Sequence, residues 1–139
     1  PRRPTRTCFA VGNADHGTCK PLLRTPVDPW LPWFRATGLD WPEPDHGPRL
    51  VDLGLTLEAA RCGQGVAVAR PALARQWLRS GELLPAFGAG QTPLLPADSA
   101  YQLLPAANPT PATEALANWL HEVGERAAAE GLALVSSVT

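Results

Sequence analysis

The reading turns on residues 49–87, RLVDLGLTLEAARCGQGVAVARPALARQWLRSGELLPAF. Arg49-Leu-Val-Asp52 has the look of a short strand, and Asp52 suits the N-cap of a helix from Leu53 to Cys62. Leu53, Leu57 and Ala60 recur at i, i+4 and i+7, with Ala59 alongside, so one face of that helix is apolar. Gly63 stands where a helix stop needs a positive φ. Gly65-Val-Ala-Val-Ala69 is a continuous apolar run bounded by Gly and Arg-Pro, the pattern of a strand buried on both faces. Pro71 opens a second helix to Ser80, with Leu73, Ala74, Trp77 and Leu78 on its apolar face, and Gly81 ends it. Glu82 to Phe87 reads as a further strand, pushed toward a sheet edge by Pro85. Strands alternating with helices imply crossover connections, hence an α/β fold with a mainly parallel sheet.

Toward the C-terminus, residues 88–98 read as loop and Tyr101-Gln-Leu-Leu-Pro105 as a strand. Thr110-Pro111 opens the last helix, which is expected to run to about Ala129. Its stripe of Ala115, Leu116, Trp119, Leu120, Val123 and Ala127 spans three turns. The tail after Gly131 is expected to fray. Toward the N-terminus, residues 21–48 are broken by prolines around one short helix, Trp30 to Thr37. Asp28 is its expected N-cap, Pro29 lies in its first turn, and Gly38 ends it. Trp30, Trp33, Phe34 and Thr37 align on one face, a core-packing stripe. Glu43 and Asp45 read as a solvated loop pair. Residues 1–20 carry no period of 2 or 3.6 and read as loop or poorly ordered chain.

The 139 residues are 45% hydrophobic and 18% charged, with a formal net charge of −1. That balance suits a globular chain and excludes a surface built for phosphate, which needs a clustered Lys/Arg surplus. No apolar run is long enough for a membrane-spanning helix. The sequence has no Met and is read as a fragment or processed form.

Familiar chemical signatures are absent. Gly63-Gln-Gly65 lacks the third glycine of a dinucleotide fingerprint and lies between helix and strand rather than strand and helix. Cys8, His16 and Cys19 lack a fourth zinc ligand, so no metal is expected. Cys62 reads as a small buried hydrophobe. Ser80, Ser99, Ser136 and Ser137 carry no nucleophile elbow, and Asp45-His46 are adjacent in a loop rather than oriented as a triad. Neither an enzyme site nor a cofactor emerges. One ligand position does: the turn from Asp52 to Thr56, at a strand's carboxyl end, where ligands settle in open α/β sheets. Free N–H groups at that helix start suit an anion.

Several stretches carry a family resemblance. Pro21-Leu-Leu-Arg24 followed by Trp30-Leu-Pro-Trp33-Phe-Arg-Ala-Thr-Gly38 resembles the Trp-x-x-Trp-x-x-x-x-Gly stretch of LysR-type transcriptional regulators, in the glycine-cleavage-activator and β-lactamase-regulator branch. Val51 to Ala60, followed by Gly63-Gln-Gly-Val-Ala-Val-Ala-Arg70, is similar to that branch's helix, turn and strand. Leu78, Gly81-Glu-Leu-Leu84, Phe87, Tyr101-Gln-Leu-Leu104 and Trp119-Leu120 continue the match in order, over residues 21–126. The resemblance implies a type II periplasmic-binding-protein-like effector domain: an α/β subdomain over residues 21–98, then a crossing strand and C-terminal helix over 99–139 returning to the first subdomain. Leu53, Gly54, Leu55 and Thr56 match the turn that lines the effector cleft.

The resemblance further implies a cytoplasmic bacterial regulator that is homodimeric or homotetrameric, with a small-molecule effector and RNA polymerase as partners. DNA would be bound only through an N-terminal winged helix, which has no counterpart in these 139 residues. Residues 1–20 resemble nothing in the family, which has a strand leading into this region. A stand-alone solute-binding protein of transport type is the alternative.

Overall fold

A computed structural model describes residues 7–12, 20–88, 90–91, 93–96 and 101–136. The elements in order are β1 (Thr7–Gly12), α1 (Trp30–Ala36), α2 (Leu53–Arg61), β2 (Ala67–Ala69), α3 (Pro71–Ser80), β3 (Leu84–Pro85), β4 (Leu95–Pro96) and α4 (Pro111–Ser136).

The two helices of the central stretch form as their pattern implies, but Arg49–Asp52 is not the expected strand, only a bridge of Arg49 to Arg24, and β2 covers Ala67–Ala69 rather than all of 65–69. Asp52 caps α2, and Gly63 and Gly81 take φ of 75° and 76° behind α2 and α3. β2 is covered on both faces, and its side chains alternate between two cores as a strand's period of 2 requires. Ala67 and Ala69 pack with Leu23, Leu57, Ala60, Ala74, Leu83 and Val135. Val68 points the other way, onto Trp30, Trp33 and Phe34. Gly65 is required by close approach at the entry to β2. A Cβ there would stand 2.4 Å from the Pro21 carbonyl oxygen, which accepts the Val66 N–H at 2.9 Å.

The sheet departs from the mainly parallel expectation. Among the described residues, parallel pairing survives only as isolated bridges, Leu22 with Val66 and Arg24 with Arg49. The ladders between named strands are antiparallel, because β1 lies between β2 and β3 and runs against both. Phe9 pairs with Ala69, Val11 with Ala67 and also with Pro85. Residues 7–12 are therefore a strand, not the expected loop. Their hydrogen bonds come from partners far along the chain, which no local period reports. β3 is shorter than the expected strand over 82–87 and sits at the end of the β2-β1-β3 path, in keeping with Pro85.

Three local readings are corrected. The α1 N-cap position is Pro29, which offers no side-chain cap. Glu43 replaces it: its two carboxylate oxygens accept from the N–H groups of Trp30 at 3.1 Å and Leu31 at 2.7 Å. Asp28 is instead buried in an ion pair with Arg70 at 3.1 Å. Residues 101–105 carry no ladder, and the strand of this region is β4, paired antiparallel with β1 through Thr7–Pro96 and Cys8–Leu95. Helix α4 does not fray after Gly131 but continues to Ser136. Gly131 and Val135 are its buried residues, and a Cβ on Gly131 would meet the Pro71 backbone carbon at 2.4 Å. The missing side chain lets α4 cross α3 at backbone contact. Glu130 fastens the crossing by accepting from Arg79 at 3.1 Å.

Candidate functional site

The start of α2 forms one wall of a cavity of about 330 Å³. Val51, Asp52, Leu53, Gly54 and Leu57 come from the α2 turn, Leu73 and Trp77 from α3, and Val27 and Tyr101 from loops on either side. Asp52 folds over the first turn of α2, where its Oδ1 accepts the Leu55 N–H at 2.9 Å. Gly54 leaves room for that: a Cβ there would lie 3.0 Å from Oδ1.

Of the four residues expected at the cleft, Leu53 and Gly54 line this cavity. Leu55 is exposed and does not line it. Thr56 is buried, and its hydroxyl donates to the Asp52 carbonyl at 2.8 Å. The hydroxyl is thus spent on holding the turn. Val27, Val51, Leu57, Leu73, Trp77 and Tyr101 are lining residues that lie outside the expected turn. The apolar face of α3 is a signal for Trp77 and Leu73, but nothing local marks Val27 or Tyr101 as their neighbours.

An ion pair lies beside the cavity. The Arg70 guanidinium carbon stands 5.4 Å from the centroid of the Tyr101 ring, within the range of cation–π attraction. Asp28, next to the lining residue Val27, holds Arg70 from the other side. Asp28 Oδ2 is buried with no hydrogen-bond partner among the described residues.

Other sequence candidates fall elsewhere. Cys62 is an exposed free thiol at the C-cap of α2, not a buried hydrophobe; its Sγ stands 3.7 Å from a Glu58 carboxylate oxygen, on the ionic side of the helix. It adjoins an ionic cluster in which Arg61 pairs with both Glu58 and Glu82. The hydrogen bond from Arg61 holds Glu58 below the ordinary carboxylate range. Glu82 is lowered by Ser80 first and Arg61 second, and Arg61 is raised, chiefly by Glu58. Asp45 and His46 are exposed side by side at 3.4 Å. His16 and Cys19 lie outside the described residues, as does the Cys8 side chain. Among the described residues no group of three or more His, Cys, Asp or Glu is placed to hold a metal ion. No described helix is long and apolar enough to cross a membrane.

Comparison with solved structures places this arrangement. The effector-binding domain of AmpR from Citrobacter freundii aligns over 89% of this chain and 67% of its own length, with a TM-score of 0.60 and 22% identity. The effector domain of the transcriptional regulator AmpR of Pseudomonas aeruginosa aligns over 90% of this chain and 64% of its own, at 0.59 and 26%. The chain has the fold of a LysR-type effector-binding domain. It spans about two thirds of the length of those domains. The solved LysR-type effector domains it resembles belong to transcriptional regulators, not enzymes. No family model matches the sequence, and no curated protein matches it.

Proposed function

We propose that this chain is the ligand-sensing part of a bacterial LysR-type transcriptional regulator, and that its small-molecule effector enters the cavity at the start of α2. The observation that supports this is the cavity itself, built on Leu53 and Gly54 in a fold shared with AmpR effector domains. In this reading residues 21–98 form the second lobe of a two-lobed, type II periplasmic-binding-protein-like domain. Residues 99–139 return to the first lobe. The effector acts by its differential affinity for two closure states of the lobes.

The regulator is cytoplasmic, assembles as a homodimer or homotetramer, and meets RNA polymerase at its promoters. DNA is read by a winged helix outside these residues, since a net charge of −1 leaves no basic surplus for phosphate. No cofactor enters the reading.

A thermal-shift screen of the full-length regulator against amino acids, cell-wall fragments and small aromatics tests it. At least one class is expected to raise the melting temperature, as a ligand that binds only the native state must. Leu53→Trp, which fills the cavity, is expected to remove that rise. No shift with any class, together with no sequence-specific DNA binding by the regulator, would overturn the reading.

A further inference from the structure

We infer that the cavity selects an apolar small molecule that is neutral or cationic and discriminates against carboxylates and phosphates, a selectivity that rests on the effector-site reading above. A helix start in a cavity wall ordinarily favours the opposite, because unsatisfied N–H groups and the helix dipole attract anions. At α2 that position is already occupied. The Asp52 carboxylate accepts the Leu55 N–H at 2.9 Å, and Gly54 has no Cβ to push it aside. An incoming anion meets a fixed negative charge instead of a free helix end.

The nearby cation does not reverse this. Arg70 is paired with Asp28 at 3.1 Å, both side chains are largely buried, and the guanidinium lies over Tyr101. Its charge is matched by the protein itself. The remaining wall is hydrocarbon and aromatic: Val27, Val51, Leu53, Leu57, Leu73 and Trp77. A volume of about 330 Å³ is at the low end of small-molecule sites, which run from ~300 to 1,000 Å³. It suits one ring system with short substituents.

Three probes of one size and different charge separate the possibilities: benzyl alcohol, benzylamine and benzoate. Each is titrated into the 139-residue chain, with the backbone amide resonances of Leu53, Gly54, Leu55 and Tyr101 as the readout. Benzyl alcohol and benzylamine are expected to move these resonances, with dissociation constants roughly five- to tenfold lower than that of benzoate. Asp52→Asn keeps a capping oxygen and removes the charge. In that variant benzoate is expected to come within about twofold of benzyl alcohol. Benzoate binding as tightly as the others to the unaltered chain would overturn the selectivity while leaving the site in place. A benzoate disadvantage unchanged in Asp52→Asn would overturn the charge assignment. If none of the probes moves those four resonances, the site itself falls, and the selectivity with it.

Discussion

Helices α1 and α4 carry the same apolar spacing and meet opposite fates. In α1, Trp30, Trp33 and Phe34 stand at i, i+3 and i+4 and are all buried, with Trp30 only 1% exposed. In α4, Leu116, Trp119 and Leu120 stand at the same spacing and remain outside, with Trp119 57% exposed. The α1 stripe lies against Val68 of β2, and its Trp30 indole N–H donates to the Leu23 carbonyl at 2.8 Å. The first half of α4 packs on nothing comparable among the described residues, whereas its second half seats Gly131 and Val135 against α3. A stripe names the face a helix offers; burial depends on a second surface arriving opposite.

The largest effect that sharpens this contrast is expected at Trp30. Trp30→Ala removes a buried aromatic and a buried hydrogen bond, and should cost about 3–5 kcal/mol in urea unfolding. Trp119→Ala, from the equivalent place in the other stripe, should stay within about 0.5 kcal/mol. Equal losses at the two positions would show that α4 is covered after all. Next in size is Gly131→Ala. Its new Cβ would meet the backbone of Pro71 and Ala72 at 2.4 to 2.6 Å, and overpacking of that kind costs about 1–3 kcal/mol. A thermal midpoint at or above that of the unaltered chain would mean that the α3–α4 crossing is looser than described.

A smaller effect is expected at Glu43. Glu43→Ala strips two backbone N–H groups of their acceptor, and a lost cap costs about 1 kcal/mol. Glu114→Ala, in the first turn of the exposed half of α4, should cost less. The smallest effect is in acid. Glu58 and Glu82 are lowered in the folded chain, so their contribution is complete above their ordinary value near 4.5 and is lost as pH falls through the lowered values. Arg61→Gln is expected to flatten that acid limb of a stability–pH curve, by little, because both carboxylates are exposed to solvent.

Much of the fold was legible before any coordinates. Asp52, Gly63, Pro71 and Gly81 mark the ends of α2 and α3, and five small apolar residues announce a doubly buried β2. Each of these signals acts within a few residues of itself. What escaped notice was long-range. β1 is a strand only because β2, β3 and β4 meet it from sequence positions far away. Glu43 caps a helix that begins thirteen residues before it, so its neighbours in sequence reveal nothing. In the candidate site, Leu53 and Gly54 reach the cavity because they follow a cap that the sequence displays. Tyr101 and Val27 complete the wall from distant points of the sequence, and no spacing connects them.

The amino-acid order by itself determined where the chain bends into helices, where glycine stops them, and which face each helix offers. Those choices follow from dihedral preferences and caps, whose reach is about one helical turn. Only the tertiary structure decided that an N-terminal strand would divide β2 from β3, and that the α1 stripe would be covered while the α4 stripe stays uncovered among the described residues. Such outcomes depend on which distant surfaces come together, and that is settled by the packing of the whole chain.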